Sequence, residues 1–334
     1  MAENPLLALP HFETDRERVE TELRASVQAP TAAMTEMAGH LIGAGGKRVR
    51  PLFAIAAGAC HPNHDGPAAL EVVRGGVSVE LVHLGSLYHD DVIDEAITRR
   101  GIESVNARWG NLRAILAGDF LLAKASEIAA SLGTEVAGLL AATIGRLCEG
   151  EVIELNDAYN VDRADQAYLD AIEGKTASLL STACRIGGIV SGLDRPDIDR
   201  LTQFGRAYGM AFQVVDDVLD VIATDEQLGK PAGHDLVEGA YNLPTLRALA
   251  GPNGPELREI LGAPIEGEAW ERARTLVRTS EGVDEAIDVA RQFVIEAHDL
   301  LTPFEDRPAA VGLQGASRHL ITSLAAVRAA AQVS

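Results

Sequence analysis

The chain has 334 residues, 47% of them apolar but only 4% aromatic, and its formal charge is −20. Such a surface repels phosphate backbones, so nucleic acid is excluded as a partner, whereas a small anion needs only cations placed locally. Ala, Leu, Val and Ile carry the apolar load, enough for one large core or two small ones, and they suit helix-on-helix packing.

Apolar spacing at i, i+3 and i+4 predicts helices over 15–27, 31–42, 51–60 and 68–94. Further helices are expected over 111–130, 135–155 and 163–190, and one running from 193–199 to about 221. A weak helix over 246–261, cut by GPNGP at 251–255, and terminal helices over 283–301 and 316–332 complete the set. Glycine, proline and polar clusters separate them at 43–51 (GAGGKRVRP) and 61–67 (HPNHDGP), with a polar connection at 223–242. Alternation over 4–8 residues is absent, so no strand is expected. The simplest account is one all-α domain over 1–334, a helical bundle around a central cavity. No apolar run reaches the ~18 uncharged residues of a spanning helix, and the N-terminus has no basic n-region or long apolar h-region, so no signal peptide is expected. Cys60, Cys148 and Cys184 are scattered and odd in number, which predicts buried free thiols and a reducing, cytoplasmic location.

The chemistry concentrates in two stretches. Residues 80–101 read ELVHLGSLYHDDVIDEAITRRG, where Asp90, Asp91 and Asp94 end an apolar run and Arg99 and Arg100 follow. Asp90 and Asp94 fall about 40° apart on one helix face. Like charges there repel, and a cation between them reverses the sign. Carboxylates with no cysteine or paired histidine nearby suit Mg2+, which keeps waters and bridges to phosphate; the arginines suit phosphate directly. A solvated acidic helix end would explain one such cluster. It does not explain the second, FQVVDDVLDV at 212–221, which places Asp216, Asp217 and Asp220 at the same spacing inside another apolar helix. Apolar helices pack inward, so both clusters are expected to face one cavity. Asp91 and Asp217 lie about 100° off that face and read as supporting or weaker ligands. His83 lies seven residues before Asp90, on about the same face.

Five motifs in order, GGKRVRP (45–51), HDDVIDEAITRRG (89–101), GKT (174–176), FQVVDD (212–217) and GKPAGHDL (229–236), resemble those of the trans-isoprenyl diphosphate synthases, or polyprenyl synthetases. The resemblance covers roughly 45–245, within a motif-bearing core of about 40–250. It implies head-to-tail condensation: an allylic diphosphate ionises, isopentenyl diphosphate attacks the cation, and a proton is lost. It implies Mg2+, three ions per active site, held by Asp90 and Asp94 on one side and by Asp216 and, through water, Asp220 on the other. Arg99, Lys175 and Lys230 would grip the allylic diphosphate, and Lys47, Arg50, His83 and Arg100 the isopentenyl diphosphate. Thr176 and Gln213 would present oxygens to the cationic carbons, and released pyrophosphate would take the proton. The family is typically a homodimer, for which a helix such as 111–130 offers an apolar face, with at most peripheral membrane contact.

One departure stands out. Where the family often has EGKxTLP, residues 238–244 read EGAYNLP, with Ala240 and Asn242 in place of Lys and Thr. The resemblance also implies that the residues just before the first aspartate form the floor of the chain tunnel, where bulky aromatics go with short products: Gly85 and Ser86, then Val82 and Val79, are small or medium, so a long product of roughly hepta- to nonaprenyl length, of the kind used for quinone side chains, is expected. A geranylgeranyl synthase is the alternative within the family. A class I terpene cyclase usually changes the second aspartate motif and lacks the isopentenyl site. A regulatory subunit loses the aspartates, and no EF-hand loop is present for a bare metal-binding module.

Overall fold

Apolar residues at helical spacing fold here as helices stacked around two long central ones. The computed structural model describes residues 6, 9, 11–224, 227 and 232–331. Helices α1 (Phe12–Ser26), α2 (Ala32–Gly43) and α3 (Val49–Gly58) lead into α4 (Leu70–Ile93), which carries the first aspartates. After a small hairpin come α5 (Val105–Trp109), α6 (Asn111–Ser131), α7 (Thr134–Asn156) and α8 (Asp165–Ile172). A π-helical turn, Glu173–Ala177, joins α8 to α9 (Ser178–Val190), and α10 (Arg195–Ile222) carries the second aspartates. The rest is α11 (His234–Glu238), α12 (Leu243–Ala250), α13 (Gly254–Ile260), α14 (Gly267–Arg278), α15 (Gly282–Leu301) and α16 (Pro308–Ala331), with a short 3-10 turn at Thr302–Phe304.

Helix α4 packs on α3, α6 and α9, and α10 packs on α9, α15 and the π turn. One cluster of buried apolar residues runs through them from Leu6 to Leu324. Small residues let the backbones close up. A side chain on Gly76 of α4 would sit 2.7 Å from the Pro51 backbone of α3, and one on Gly187 of α9 would sit 2.0 Å from the Ala54 carbonyl oxygen. That explains a Gly75-Gly76 pair in a helix interior, where glycine costs about 1 kcal/mol against alanine. Aromatic rings are few but grouped: Phe53 stands 4.5 Å from Tyr208 and 5.9 Å from Phe204, both on α10.

Several expectations need correction. A strand pair does exist, Thr98–Arg99 (β1) with Ile102–Glu103 (β2), pairing Thr98 with Glu103 and Arg99 with Ile102. Its turn, Arg100-Gly101, has positive φ at both residues (54° and 75°), as a two-residue hairpin requires; two residues per strand are too few to show alternation. The helix expected over 163–190 is three pieces, and α14 and α5 were not foreseen. The last helix begins at Pro308 rather than 316. Cys60 and Cys184 are buried free thiols, but Cys148 is exposed. No helix among the described residues is long and apolar enough to cross a membrane.

Candidate active site

Asp90 and Asp94 from the end of α4 and Asp216 and Asp220 from α10 line a single cavity of about 560 Å³. Lys175 and Thr176 reach it from the π turn, Gln213 from α10 and Arg99 from β1. The π turn is what faces Lys175 and Thr176 inward, a frequent use of such local underwinding. It is seated by glycines: a side chain on Gly150 of α7 would lie 2.7 Å from the Lys175 backbone nitrogen. That close approach brings Glu151 and Glu154 of α7 onto Lys175, whose ammonium donates to both, to Glu151 over 2.7 Å. Burial works against that charge, but Glu154 and Glu151 outweigh it and hold the ammonium above the ordinary lysine range.

Nine carboxylates and three cationic side chains line the cavity among the described residues. Asp90 shows the consequence: burial first, then Glu151 and Asp94, push its carboxyl up to about 7, against the pull of Lys175. Burial likewise raises Asp94. The donor set is all oxygen, which fits a hard divalent cation that neutralises the crowding. Among the described residues no three acidic, His or Cys side chains converge tightly enough to hold an ion alone.

Asp91 does not face the cavity. It is fully buried and accepts a 2.6 Å bond from Arg99 Nε, so it aims one of the two arginines. Asp217 is also buried; its two oxygens accept from Gln213 Nε2 at 2.8 Å and Tyr168 Oη at 2.5 Å. Thr176 Oγ1 donates to Gln213 Oε1 at 2.8 Å.

The hairpin sends Arg99 and Arg100 in different directions. Arg100 donates to the carbonyls of Leu41 and Gly45, next to a second, cation-rich group made by Arg50 and His83. None of Lys47, Arg50, His83 and Arg100 lines the large cavity. Lys47 is exposed on the glycine turn. Arg50 keeps a buried Nε with no hydrogen-bond partner, and burial lowers its pKa. Burial, then Arg50 and Arg100, hold His83 well below the usual imidazole range, so it is neutral at pH 7. Arg48 is a structural residue: it is buried, with Nε 2.6 Å from Glu20, Nη1 3.2 Å from Glu80 and Nη2 on the Ile42 carbonyl.

Of the stripe before the first aspartate, Val79 and Val82 are fully buried, and none of the four residues lines the cavity. Gly85 faces α6, where a side chain would meet the Gly118 carbonyl at 3.1 Å and Leu122 at 3.2 Å. Ser86 is half-buried and bonds the His83 carbonyl. Lys230 lies outside the described residues.

Sequence reasoning missed part of the wall. Glu151, Glu154, Tyr168, Arg163, Asp235 and Glu238 all line the cavity. The i, i+3 pair Glu151/Glu154 was the readable signal; Arg163 belongs to no motif. It is buried, donates to the Tyr241 carbonyl at 3.2 Å and lies 3.4 Å from Asp157. With Tyr159, whose NH and OH bond the carbonyls of Gly239 and Val237, it pins the segment holding Ala240. Asn242, the second departure, caps α12: its Oδ1 accepts from Thr245, and its Nδ2 donates to Asp235 at 2.9 Å. Helix α14 holds the carbonyls of Ala223 and Gly233 through Arg274 and Trp270.

The family model described as Polyprenyl synthetase matches residues 31–277. The chain is 41% identical over 295 residues to a nonaprenyl diphosphate synthase of Mycobacterium tuberculosis, covering 87% of each. It is 37% identical over 289 residues to heptaprenyl diphosphate synthase component 2 of Geobacillus stearothermophilus, covering 86% of this chain and 89% of that one. A solved polyprenyl synthase from Caulobacter crescentus, complexed with calcium and isoprenyl diphosphate, superposes with a TM-score of 0.85 at 32% identity, over 93% of this chain and 95% of that one. The chain belongs to the polyprenyl synthetase family.

Proposed function

We infer that this chain is a prenyltransferase that adds isopentenyl diphosphate head-to-tail to an allylic diphosphate and yields a long-chain all-trans polyprenyl diphosphate. The observation that carries the reading is the meeting of both aspartate helices with Lys175 and Arg99 at one cavity. Asp90, Asp94, Asp216 and Asp220 would hold Mg2+, three ions in the family's manner. When bound, Mg2+ supplies charge neutralisation to the departing diphosphate. Arg99, aimed by Asp91, and Lys175, drawn from its two glutamates, bind the allylic diphosphate, joined by Lys230. Lys47, Arg50, His83 and Arg100 bind isopentenyl diphosphate; the unpartnered Arg50 Nε and the neutral imidazole, a donor beside guanidiniums, support that reading. Thr176 and Gln213 turn oxygens toward the allylic cation. No side chain is required as base, because the pyrophosphate released by ionisation, still held in the cavity, takes the proton.

The long product is supported by the names of the relatives and by the absence of an aromatic from the stripe of Val79, Val82, Gly85 and Ser86. A single domain is supported by the unbroken core, and a homodimer by the exposed Leu112, Ile115 and Leu116 on α6. Three unpaired cysteines support a cytoplasmic setting. The relative named component 2 favours a second reading, in which a partner chain is required. The test is incorporation of labelled isopentenyl diphosphate onto farnesyl diphosphate by the purified chain with Mg2+. Turnover that is lost in Asp90→Asn and Asp216→Asn supports the reading; no turnover until a second protein is added supports the partner.

A further inference from the structure

Thr176 faces the cavity as an oxygen, and the sign of the dipole it presents depends on where its one proton points. In this structure the proton is given to Gln213 Oε1, 2.8 Å away, so lone pairs are left for the cavity that Thr176 lines. Gln213 can accept there only because its amide is turned with Nε2 toward Asp217 Oδ1, at 2.8 Å. A flipped amide would set Oε1 against a carboxylate oxygen. The orientation therefore rests on Asp217, and Asp217 is fixed at its other oxygen by Tyr168 Oη, 2.5 Å away. Tyr168 is buried on α8, with the Arg163 guanidinium 5.7 Å from its ring centre, which strengthens the phenol as a donor. Each link hands its polarisation to the next, as in other buried hydrogen-bond chains.

We propose that Tyr168 is a positioning residue which, through Asp217 and Gln213, keeps the Thr176 hydroxyl proton out of the cavity, so that its oxygen meets the allylic cation. This rests on the prenyltransferase reading above. Without the phenol hydroxyl, Asp217 Oδ2 has lost a donor and the carboxylate can rotate. The amide can then flip and the Thr176 proton can turn inward, where its positive end opposes the cation. Tyr168 touches neither substrate in this account, so binding is little affected and the ionising step slows.

The test is a double-mutant cycle on steady-state elongation with Tyr168→Phe, Thr176→Val and the pair. Tyr168→Phe is expected to lower kcat about 3–10-fold with KM for both substrates within about twofold. In the Thr176→Val background the same change is expected to cost less than about twofold, because the atom it positions is gone. Asp217→Asn, cycled against Thr176→Val in the same way, tests the adjoining link and does not depend on phenylalanine being tolerated at 168. Independent, multiplying losses in these cycles, or a rise in KM with kcat kept, would overturn the proposal while leaving the prenyltransferase reading standing. A wild-type chain that does not elongate would overturn both.

Discussion

Lys175 is already engaged before any diphosphate arrives. Two glutamates hold it, and the diphosphate proposed to bind there would compete for the same ammonium. Removing it should cost a charge-assisted hydrogen bond: Lys175→Met is expected to raise KM for the allylic substrate about 10–100-fold, measured by initial rates at saturating isopentenyl diphosphate. His83 gives a different kind of test. Its pKa in the folded chain lies well below the ordinary 6.5, through burial and the adjoining arginines. The unfolded chain therefore takes up a proton that the folded one refuses. The stability this residue contributes is full above 6.5 and falls as pH drops from there toward the folded pKa. His83→Gln has no such proton, so the melting temperature of the variant should fall less steeply than wild type below that pH. Parallel curves would show that the imidazole is not shielded. Asn242 shows how a departure from the family pattern can be benign. Asparagine caps a helix at least as well as threonine, and here it also holds Asp235. Asn242→Ala should lose about 1 kcal/mol in chemical denaturation, while Asn242→Thr should keep most of it.

At the scale of elements, the aspartate helices were legible because period and charge coincide. Asp90 and Asp94 end one apolar run, Asp216 and Asp220 another, and both reach the cavity. What stayed hidden was local geometry with no periodic trace. The hairpin has two residues in each strand, and the π turn around Lys175 keeps the apolar spacing of an ordinary helix on either side. Helix α14 was overlooked because its polar face dominates Gly267–Arg278, where Ala273, Leu276 and Val277 alone are buried. The chain-length stripe is affected by packing that the sequence did not reveal. Gly85 stands against the α6 backbone, so Gly85→Phe should lower the melting temperature before it reports on product. Ser86→Phe is the cleaner change and should shorten the product, with chromatographic sizing as the readout. Gly187→Ala, whose new carbon would overlap the Ala54 carbonyl, should cost about 1–3 kcal/mol by overpacking.

Across the whole molecule, the net charge of −20 and the carboxylate-lined cavity express one design. An anion cannot approach such a cavity until cations offset it, and Arg99 and Lys175 stand in its wall where the allylic diphosphate is proposed to lie. The substrate-free chain should therefore bind Mg2+ with a gain in stability, about 2.7 kcal/mol at a hundredfold excess over Kd. Asp90→Asn combined with Asp216→Asn should abolish the gain in a thermal melt, and chelation should stop turnover without unfolding the chain. The site's acidic and basic motifs were readable in the sequence because the chemistry demands those residue types. Tyr168 and Arg163 were not, because they act on other side chains through contacts that only the fold creates.

The most direct measurement incubates the purified chain with Mg2+, isopentenyl diphosphate and farnesyl diphosphate and sizes the products chromatographically. The expected result is a ladder ending at a hepta- to nonaprenyl diphosphate. A product that stops at geranylgeranyl diphosphate would contradict the long-chain assignment, and the absence of any elongation by this chain alone would contradict its assignment as a self-sufficient prenyltransferase.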